Sequence, residues 1–394
     1  MANVIVDESC LSGIASAIRS KAGTSSVFRP SQMAGMIDSI EVLRGTKSLP
    51  ANMSYARCVT GPSSRVDYRS MASLSDVDVV YLPYCASLST EAFASCDSLR
   101  AAVLPRCSLV GSSAFFSCQS LETVVLPECS DIRVSAFFRC TGLTTLVAPT
   151  CRSVGPMAFE YCNSLESVWM PLCETVDRTA FGGCSSLSAA YLPACTSVGG
   201  YAFGGCVALS SISLPECTYV GECAFEACPL SEVSLPKCVS VAHQAFESCR
   251  SLETVNLPAC TTIGRDAFSK CTSLSEVSIP ECVTIGAWAF WECAISSIAL
   301  PKCTEIADYA FHDCYSLGGV DLPGSTVCSI GDYAFPEGVD STKFRITVPA
   351  GMISQYLETL NWSYYYSNIF DTNGDWGGDY YTPPESSAYY SVNS

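Results

Sequence analysis

Residues 252–273 read LETVNLPACTTIGRDAFSKCTS, and this stretch is one copy of a unit that recurs along most of the chain. The unit can be written L-x-x-[VI]-x-L-P-x-C-x-x-[VI]-G-x-x-A-F-x-x-C-x-S. A Leu-Pro step or a close variant recurs from Pro83 to Pro323, and an Ala-Phe step follows each one, from Phe93 to Phe335. A short period repeated about a dozen times predicts a solenoid in which each unit is one coil that stacks on the next.

Each unit is expected to contain two short strands and one turn. In the first strand, apolar residues of L-x-x-[VI]-x-L face inward, and the following proline, Pro258 in the copy above, removes a ladder donor and ends the strand. A second, shorter strand leads into a turn at steps such as Val220-Gly221. Phe225 and Cys228 have the spacing of one face of a single helical turn. The coil therefore predicts stacked parallel strands with short helical turns.

Two units are shorter by one residue than the usual 22. The missing residue falls in both cases between the second cysteine and the next apolar residue, at Cys228-Pro229-Leu230 and at Cys293-Ala294-Ile295. A deletion confined to one corner leaves the rest of the coil unchanged. We therefore expect the strands on either side to keep their register.

The 26 cysteines follow the same period. One series advances from Cys85 to Cys303, and a second runs 11 residues behind it, from Cys96 to Cys314. Together they account for 22 of the 26 cysteines. The cysteines outside this lattice are Cys10, Cys58, Cys223 and Cys328.

The lattice predicts that each thiol is a small buried apolar group that fills the same position in every coil. Disulfides along a ladder are unfavourable, because stacked strands hold equivalent Cβ atoms about 4.8 Å apart, beyond the range of about 3.5–4.5 Å that a bridge needs. Metal binding is disfavoured because no Cys-x-x-Cys occurs and only His243 and His312 could add imidazole ligands. The sequence predicts no metal site and no cofactor.

The quoted unit resembles a known family. The stretches LPECTYVGECAFEAC and LPKCTEIADYAFHDC are similar to repeats of the BspA-like leucine-rich repeat family, and the resemblance covers about residues 74–340. It implies a curved leucine-rich-repeat-type solenoid that is used for binding and has no catalytic centre of its own.

Five segments are expected. Residues 1–45 do not repeat and predict a small helical hairpin for attachment or assembly, residues 46–73 a connector or imperfect first coil, and residues 74–340 the solenoid of about twelve coils. Residues 341–370 predict a strand-helix carboxy-terminal cap, and residues 371–394 an extended tail. In the hairpin, apolar residues at helical spacing are the candidate assembly contacts. They are Leu11, Ile14, Ile18, Met33, Met36, Ile37 and Ile40.

Residues 11–40, L-x-x-I-A-x-A-I-R-x-K-x-G…P-x-x-M-A-x-x-I-x-x-I, resemble a small amino-terminal module of tail- and baseplate-associated proteins in phages and prophages of gut Firmicutes. The alternative is a generic helical hairpin that caps the solenoid. The first residues, MANVIVDESC, lack the basic and apolar regions of a secretory signal, so we expect synthesis in the host cytoplasm. Two amphipathic helices cannot bury both apolar faces alone, which predicts a homo-oligomer or docking on other virion proteins.

Composition excludes several partners. The 38 acidic and 21 basic residues give a net charge of −17, which repels phosphate backbones, so nucleic acid is not an expected partner. No apolar run approaches 18 residues, so membrane insertion is not expected either.

Catalytic chemistry has few candidates in this sequence. His243 and His312 lie three coils apart and cannot share one site, so both are expected to be surface histidines. The stretch Asp371-Thr372-Asn373-Gly374-Asp375 has oxygen ligands at alternate positions, as in a calcium loop, but Trp376 stands where that loop has glycine. A polar glycine-rich turn is the favoured interpretation there, and the chain is predicted not to be an enzyme.

One outward position of the first strand changes character along the chain. The residue between the last two inward positions is apolar or aromatic in six coils and small or polar in the next six. Adjacent coils would place the first six in one contiguous stripe, which predicts a contact surface for a partner or sister subunit; the alternative is that the amino-terminal helices fold back over it. The stripe consists of Tyr81, Val103, Val125, Val147, Trp169 and Tyr191, and the later residues are Ser213, Ser234, Asn256, Ser278, Ala299 and Asp321.

A second candidate surface lies beside the Ala-Phe step, where Trp288, Trp291 and Tyr309 are prominent. Such aromatic rings could stack on the sugars of a glycan or pack over neighbouring coils as rim residues.

These observations favour a non-enzymatic phage virion protein, at the tail or another host-facing part, whose solenoid binds a host cell-surface protein or glycan. One alternative is a bacterial surface or secreted BspA-like adhesin. Another is a virion decoration protein without receptor binding.

Overall fold

The structure, a computed structural model, describes residues 58–60, 64–336 and 343–380, and within them the chain is a solenoid of stacked parallel strands. The candidate assembly residues of the amino-terminal hairpin lie outside the described residues. The strands, in chain order, are β1 Cys58–Thr60, β2 Arg65–Val66, β3 Val79–Tyr81, β4 Ser87–Leu88, β5 Ala101–Val103, β6 Leu109–Val110, β7 Thr123–Val125, β8 Asp131–Ile132, β9 Thr145–Val147, β10 Ser153–Val154, β11 Ser167–Trp169, β12 Thr175–Val176, β13 Ala189–Tyr191, β14 Ser197–Val198, β15 Ser211–Ser213, β16 Tyr219–Val220, β17 Glu232–Ser234, β18 Ser240–Val241, β19 Thr254–Asn256, β20 Thr262–Ile263, β21 Glu276–Ser278, β22 Thr284–Ile285, β23 Ser297–Ala299, β24 Glu305–Ile306, β25 Gly319–Asp321, β26 Ser329–Ile330, β27 Arg345–Val348 and β28 Ile369–Asp371.

Each coil contributes one odd-numbered and one even-numbered strand, as the unit predicts. The even-numbered strands from β2 to β26 form one continuous 13-stranded parallel sheet. Their register pairs equivalent residues of successive coils, for example Val198 with Val220. The first coil is already present at β1 and β2, which pair in parallel with β3 and β4.

The odd-numbered strands form four separate sheets, with breaks after β9, β15 and β21. The second and third breaks fall at the two shortened units, so the odd-numbered strands beside each deletion do not pair, while the even-numbered strands there keep the expected register. The lost residue shortens the segment between the second cysteine and the odd-numbered strand. The even-numbered strand lies further along the coil and pairs normally. The break after β9 has no deletion beside it and coincides with Ala148 and Met170 in place of the usual leucine.

The third side of each coil is built from tight turns, so the predicted short helical turns are corrected here. Two residues per coil, such as Ser113 (φ 53°) and Ser117 (φ 57°), are left-handed, a conformation that cannot continue a right-handed helix. Alternate amides instead bond to the next coil: Ser113, Phe115 and Ser117 donate to the carbonyls of Val134, Ala136 and Phe138 at 2.7–2.8 Å.

The core repeats with the coil. The Ala-Phe phenylalanines from Phe93 to Phe290 form one row of stacked rings, with neighbouring centroids 5.0–5.4 Å apart. Each ring after Phe93 is buried between two others, so ring contacts add to the burial of apolar area.

The lattice cysteines form two buried ladders, and each ladder has its own hydrogen-bond pattern. In the first, the thiol donates to a carbonyl two residues ahead, as from Cys195 to Ser197 at 3.3 Å. In the second, from Cys118 onward, it donates to a phenylalanine carbonyl of a preceding coil, as from Cys206 to Phe181 at 3.1 Å. Burial raises the pKa of both thiols to about 12, which keeps them protonated.

Cys328 belongs to the first ladder, although its spacing places it outside the lattice. It is fully buried, and its Sγ lies 3.9 Å from Sγ of Cys303. The longer loop before β26 displaces it in sequence while it fills the same position in the coil.

The carboxy-terminal end is covered by a strand-helix cap. β27 continues the last odd-numbered sheet and pairs with β28. Helix α1 spans Ile353–Glu358, and 3-10 helices span Trp362–Asn368 and Gly377–Asp379. Trp362 is buried and donates from Nε1 to the carbonyl of Cys328 at 2.7 Å, which fixes the cap on the last coil. The described residues contain no helix that is long and apolar enough to cross a membrane.

Candidate binding surfaces of the solenoid

The outward side of the odd-numbered strands, here called the strand face, carries the predicted stripe. Successive coils align its residues in one column: Tyr81 pairs with Val103, Val103 with Val125, and Val125 with Val147. Trp169 then pairs with Tyr191 in the next sheet. The stripe is therefore two paired groups separated by the break after β9, rather than one unbroken ladder.

The two ends of the strand face differ sharply in exposure. Val103, Val125 and Val147 are 8%, 1% and 7% exposed, while Tyr81, Trp169 and Tyr191 are half-buried. The later members of the same column are open to solvent from β17 to β25. They are Ser234, Asn256, Ser278, Ala299 and Asp321.

The open part of the strand face is acidic, and the sequence pattern predicted only one of its two outward columns of residues. Glu232 and Glu276 are exposed on the same strands, in a second outward column two residues before the first. The five strands from β17 to β25 present three outward carboxylates and no basic residue. The alternation of inward and outward residues along each strand is a sufficient sequence signal for this second column.

The predicted aromatic surface forms a row of mutually packed rings. Trp288 stacks on Tyr309 with centroids 4.1 Å apart and planes at 7°, and Trp291 meets Trp288 edge-on at 5.5 Å. Tyr333 packs on Tyr309 at 5.2 Å. The Tyr309 ring is thus packed between rings from the coils on either side of it.

Asp313 is an anchor for this row that the sequence did not single out. Its carboxylate accepts hydrogen bonds from the Tyr315 hydroxyl at 2.5 Å and from Nε1 of Trp291 at 2.9 Å. These donors, led by Tyr315 and helped by Trp291 and His312, lower the pKa of Asp313. Lys270 lies 5.3 Å above the Trp291 ring and 3.1 Å from Glu247. Trp291 is therefore held by polar or charged side chains of the coils on either side of it.

The two histidines lie in separate environments. His243 accepts a hydrogen bond at Nδ1 from the amide of Arg265 at 3.2 Å, and Nδ1 of His312 lies 3.2 Å from Asp313. The ladder cysteines that follow them in sequence, Cys249 and Cys314, are buried and donate to the carbonyls of Phe225 and Phe290.

The candidate calcium loop uses its first carboxylate for the fold. Asp371 is buried and accepts backbone hydrogen bonds from Gly351 at 2.9 Å, Asn373 at 2.8 Å and Asp375 at 3.0 Å. These amides, led by Gly351, lower the pKa of the carboxyl. Both oxygens are thus already bound, and no metal-ligand cluster occurs within the part of the chain that the structure describes.

Comparison with known proteins gives one family match. The family model described as a BspA type leucine rich repeat region (6 copies) matches residues 86–194, 174–283 and 239–357. No curated protein matches the chain.

Solved structures of bacterial repeat proteins are similar at low identity. A leucine rich cell surface protein from Faecalibacterium prausnitzii is 22% identical over 67% of this chain and 80% of its own, with a TM-score of 0.39. A leucine-rich repeat protein from Bacteroides ovatus is 22% identical over 73% of this chain and 87% of its own, with a TM-score of 0.45.

Proposed function

The chain belongs to the BspA-type leucine-rich repeat family, whose model matches more than half of it, and from this premise we propose that it is a non-enzymatic binding protein of the adhesive type that acts at a bacterial cell surface. The observation that carries the proposal is the open strand face of a solenoid from this family. Solenoids use such extended surfaces for binding.

The contact surface in this proposal is the strand face from β17 to β25. Its outward residues are small, polar or acidic, so it suits a partner that offers hydrogen-bond donors and positive charge. A host cell-surface protein or glycan with exposed basic or hydroxyl groups fits this chemistry. The net charge of −17 disfavours nucleic acid.

A second candidate is a phage virion protein, which the resemblance of residues 11–40 favours. In that case the amino-terminal segment would attach the solenoid to other virion proteins or to sister subunits in a homo-oligomer. The solenoid would then bind the host or only decorate the particle. Residues 11–40 lie outside the described residues, so this candidate rests on the sequence pattern alone.

The location of the native protein separates the two candidates. Intact cells of the bacterium that encodes the chain are treated briefly with trypsin, and released peptides are identified by mass spectrometry beside a cytosolic marker protein. Peptides of the solenoid released without the marker would support the surface proposal. Recovery of the chain only in phage particles purified by density would refute it and favour the virion candidate, and recovery only in the cytosol would refute both.

A further inference from the structure

We propose that residues 1–57 of this chain pack on the outward side of β3, β5, β7 and β9 and cover the valines of the stripe. The inference concerns a different part of the strand face from the proposed binding surface and does not rest on the proposed function.

The first argument is burial that the strands themselves do not explain. Val125 is 1% exposed although it points away from the core, and its neighbours across the sheet are only Val103 and Val147. The outward residues beside this column, Ala101, Thr123 and Thr145, are too short to enclose it.

The same position in later coils is a control within the chain. Asn256 has strand neighbours on both sides, Ser234 and Ser278, as Val125 has, and yet it is exposed. The prolines that follow the strands show the same contrast, because Pro127 and Pro149 are buried while Pro236 and Pro323 are exposed. Something other than the repeating coil therefore covers β5 to β9.

The second argument is where the chain enters the solenoid. Residue 57 immediately precedes β1, which forms the edge of the same sheet, with Thr60 aligned to Tyr81. The carboxy-terminal end of the 57-residue segment therefore lies one strand away from the stripe. An intramolecular segment at this position has a high effective concentration and needs no second molecule.

The third argument is complementary size and chemistry. Residues 11–18 and 33–40 each present apolar side chains at helical spacing. A helix of eight residues is about 12 Å long, close to the roughly 14 Å that three strand spacings cover from β3 to β9. Each helix would bury its apolar side against valines that are otherwise exposed to water.

A second copy of the chain is the competing occupant. A stable interface between two proteins buries about 800 Å² on each partner, and the four-residue column from Tyr81 to Val147 supplies only a small part of that area. The same column is long enough for one short helix of the same chain.

Photo-crosslinking of the full chain tests the proposal. p-Benzoylphenylalanine replaces Tyr81, an aromatic residue at the rim of the covered patch, and Ser278 in a control variant. Irradiation of the Tyr81 variant should link it to peptides from residues 1–57 of the same chain, and the Ser278 variant should give no such link. Links to a second copy, seen as a product of doubled mass, or no link to residues 1–57 would overturn the proposal.

A second measurement guards against local distortion by the photo-probe. Val125→Glu places a carboxylate under the proposed segment, and Ser278→Glu places one in the open part of the column. Hydrogen exchange in residues 11–40 should accelerate at least about tenfold in Val125→Glu and remain at the parent rate in Ser278→Glu. Ile14→Asp, outside the solenoid, should give the same acceleration. Equal exchange in all four proteins would overturn the proposal.

Discussion

Removal of one ring from the phenylalanine row should be among the most damaging single substitutions in this chain. Phe203 is fully buried, and its ring stacks on Phe181 and Phe225 with centroids 5.3 Å away on both sides. Phe→Ala in a packed core costs about 3–5 kcal/mol. Because two ring contacts are lost and the stacked coils cannot collapse into the cavity, we expect Phe203→Ala to fall in the upper half of that range.

Two companion variants separate ring stacking from burial. Phe203→Leu retains most of the apolar volume and should cost about 1–1.5 kcal/mol, which reports the loss of the ring contacts. Tyr219→Ala, at an exposed residue of β16, should change the free energy of unfolding by less than about 0.5 kcal/mol.

The assay is urea unfolding monitored by circular dichroism. The slope of the free energy of unfolding against urea concentration is compared between variants. An unchanged dependence shows that the same structure unfolds, which matters because repeat proteins can lose coils from one end. A loss below about 1 kcal/mol in Phe203→Ala, with the dependence unchanged, would refute the reasoning that the row is a tightly packed core.

Three further predictions concern the thiols, the turns and the cap. Cys206→Ser should cost only about 1 kcal/mol in urea unfolding, because the hydroxyl can donate to the Phe181 carbonyl that the thiol now uses; a cost above about 3 kcal/mol would contradict this. Ser117→Gly should raise the free energy of unfolding by about 0.5–1 kcal/mol, since glycine relieves a left-handed residue, and Ser117→Val should lower it; equal effects from both would show that φ at this position is not a source of strain. The lowered pKa of Asp371 means that its stabilisation is present above the ordinary carboxyl value of about 4 and is lost as pH falls through the folded-state value. Acid titration of tryptophan fluorescence should therefore loosen the cap below about pH 4 in the parent, and Asp371→Asn should remove this transition; a parent and variant with identical titrations would contradict it.

The period of the sequence was sufficient to predict the stacked parallel strands. A repeat of constant length places Val198 beside Val220 and Cys195 beside its counterparts, whatever the detailed conformation of the corners. The strand-helix cap was predictable for the same reason, because an apolar end must be covered, although the sequence did not predict that the helix stops at Glu358.

The conformation of the turns and the burial of the stripe valines could not be predicted in this way. Phe225 and Cys228 have the same spacing in a helical turn and in a turn with left-handed residues, so periodicity does not distinguish them. The burial of Val125 depends on what lies over the sheet, which a repeat pattern does not contain. The hydrogen bonds that Asp313 accepts from Trp291 and Tyr315 depend on the positions of those side chains in the folded chain, so the sequence pattern did not predict them.

Counting reactive thiols in the native protein tests the stacked-coil account most directly, because every coil from β3 onward contributes to one or both buried ladders. The 24 cysteines from Cys85 to Cys328 are buried, and the ladder thiols have carbonyl partners. Titration with a thiol reagent without denaturant should find at most a few reactive groups, and after denaturation under non-reducing conditions nearly all 26 cysteines should react. Rapid reaction of most thiols in the native protein, or a large deficit after denaturation that reveals oxidation, would contradict the account.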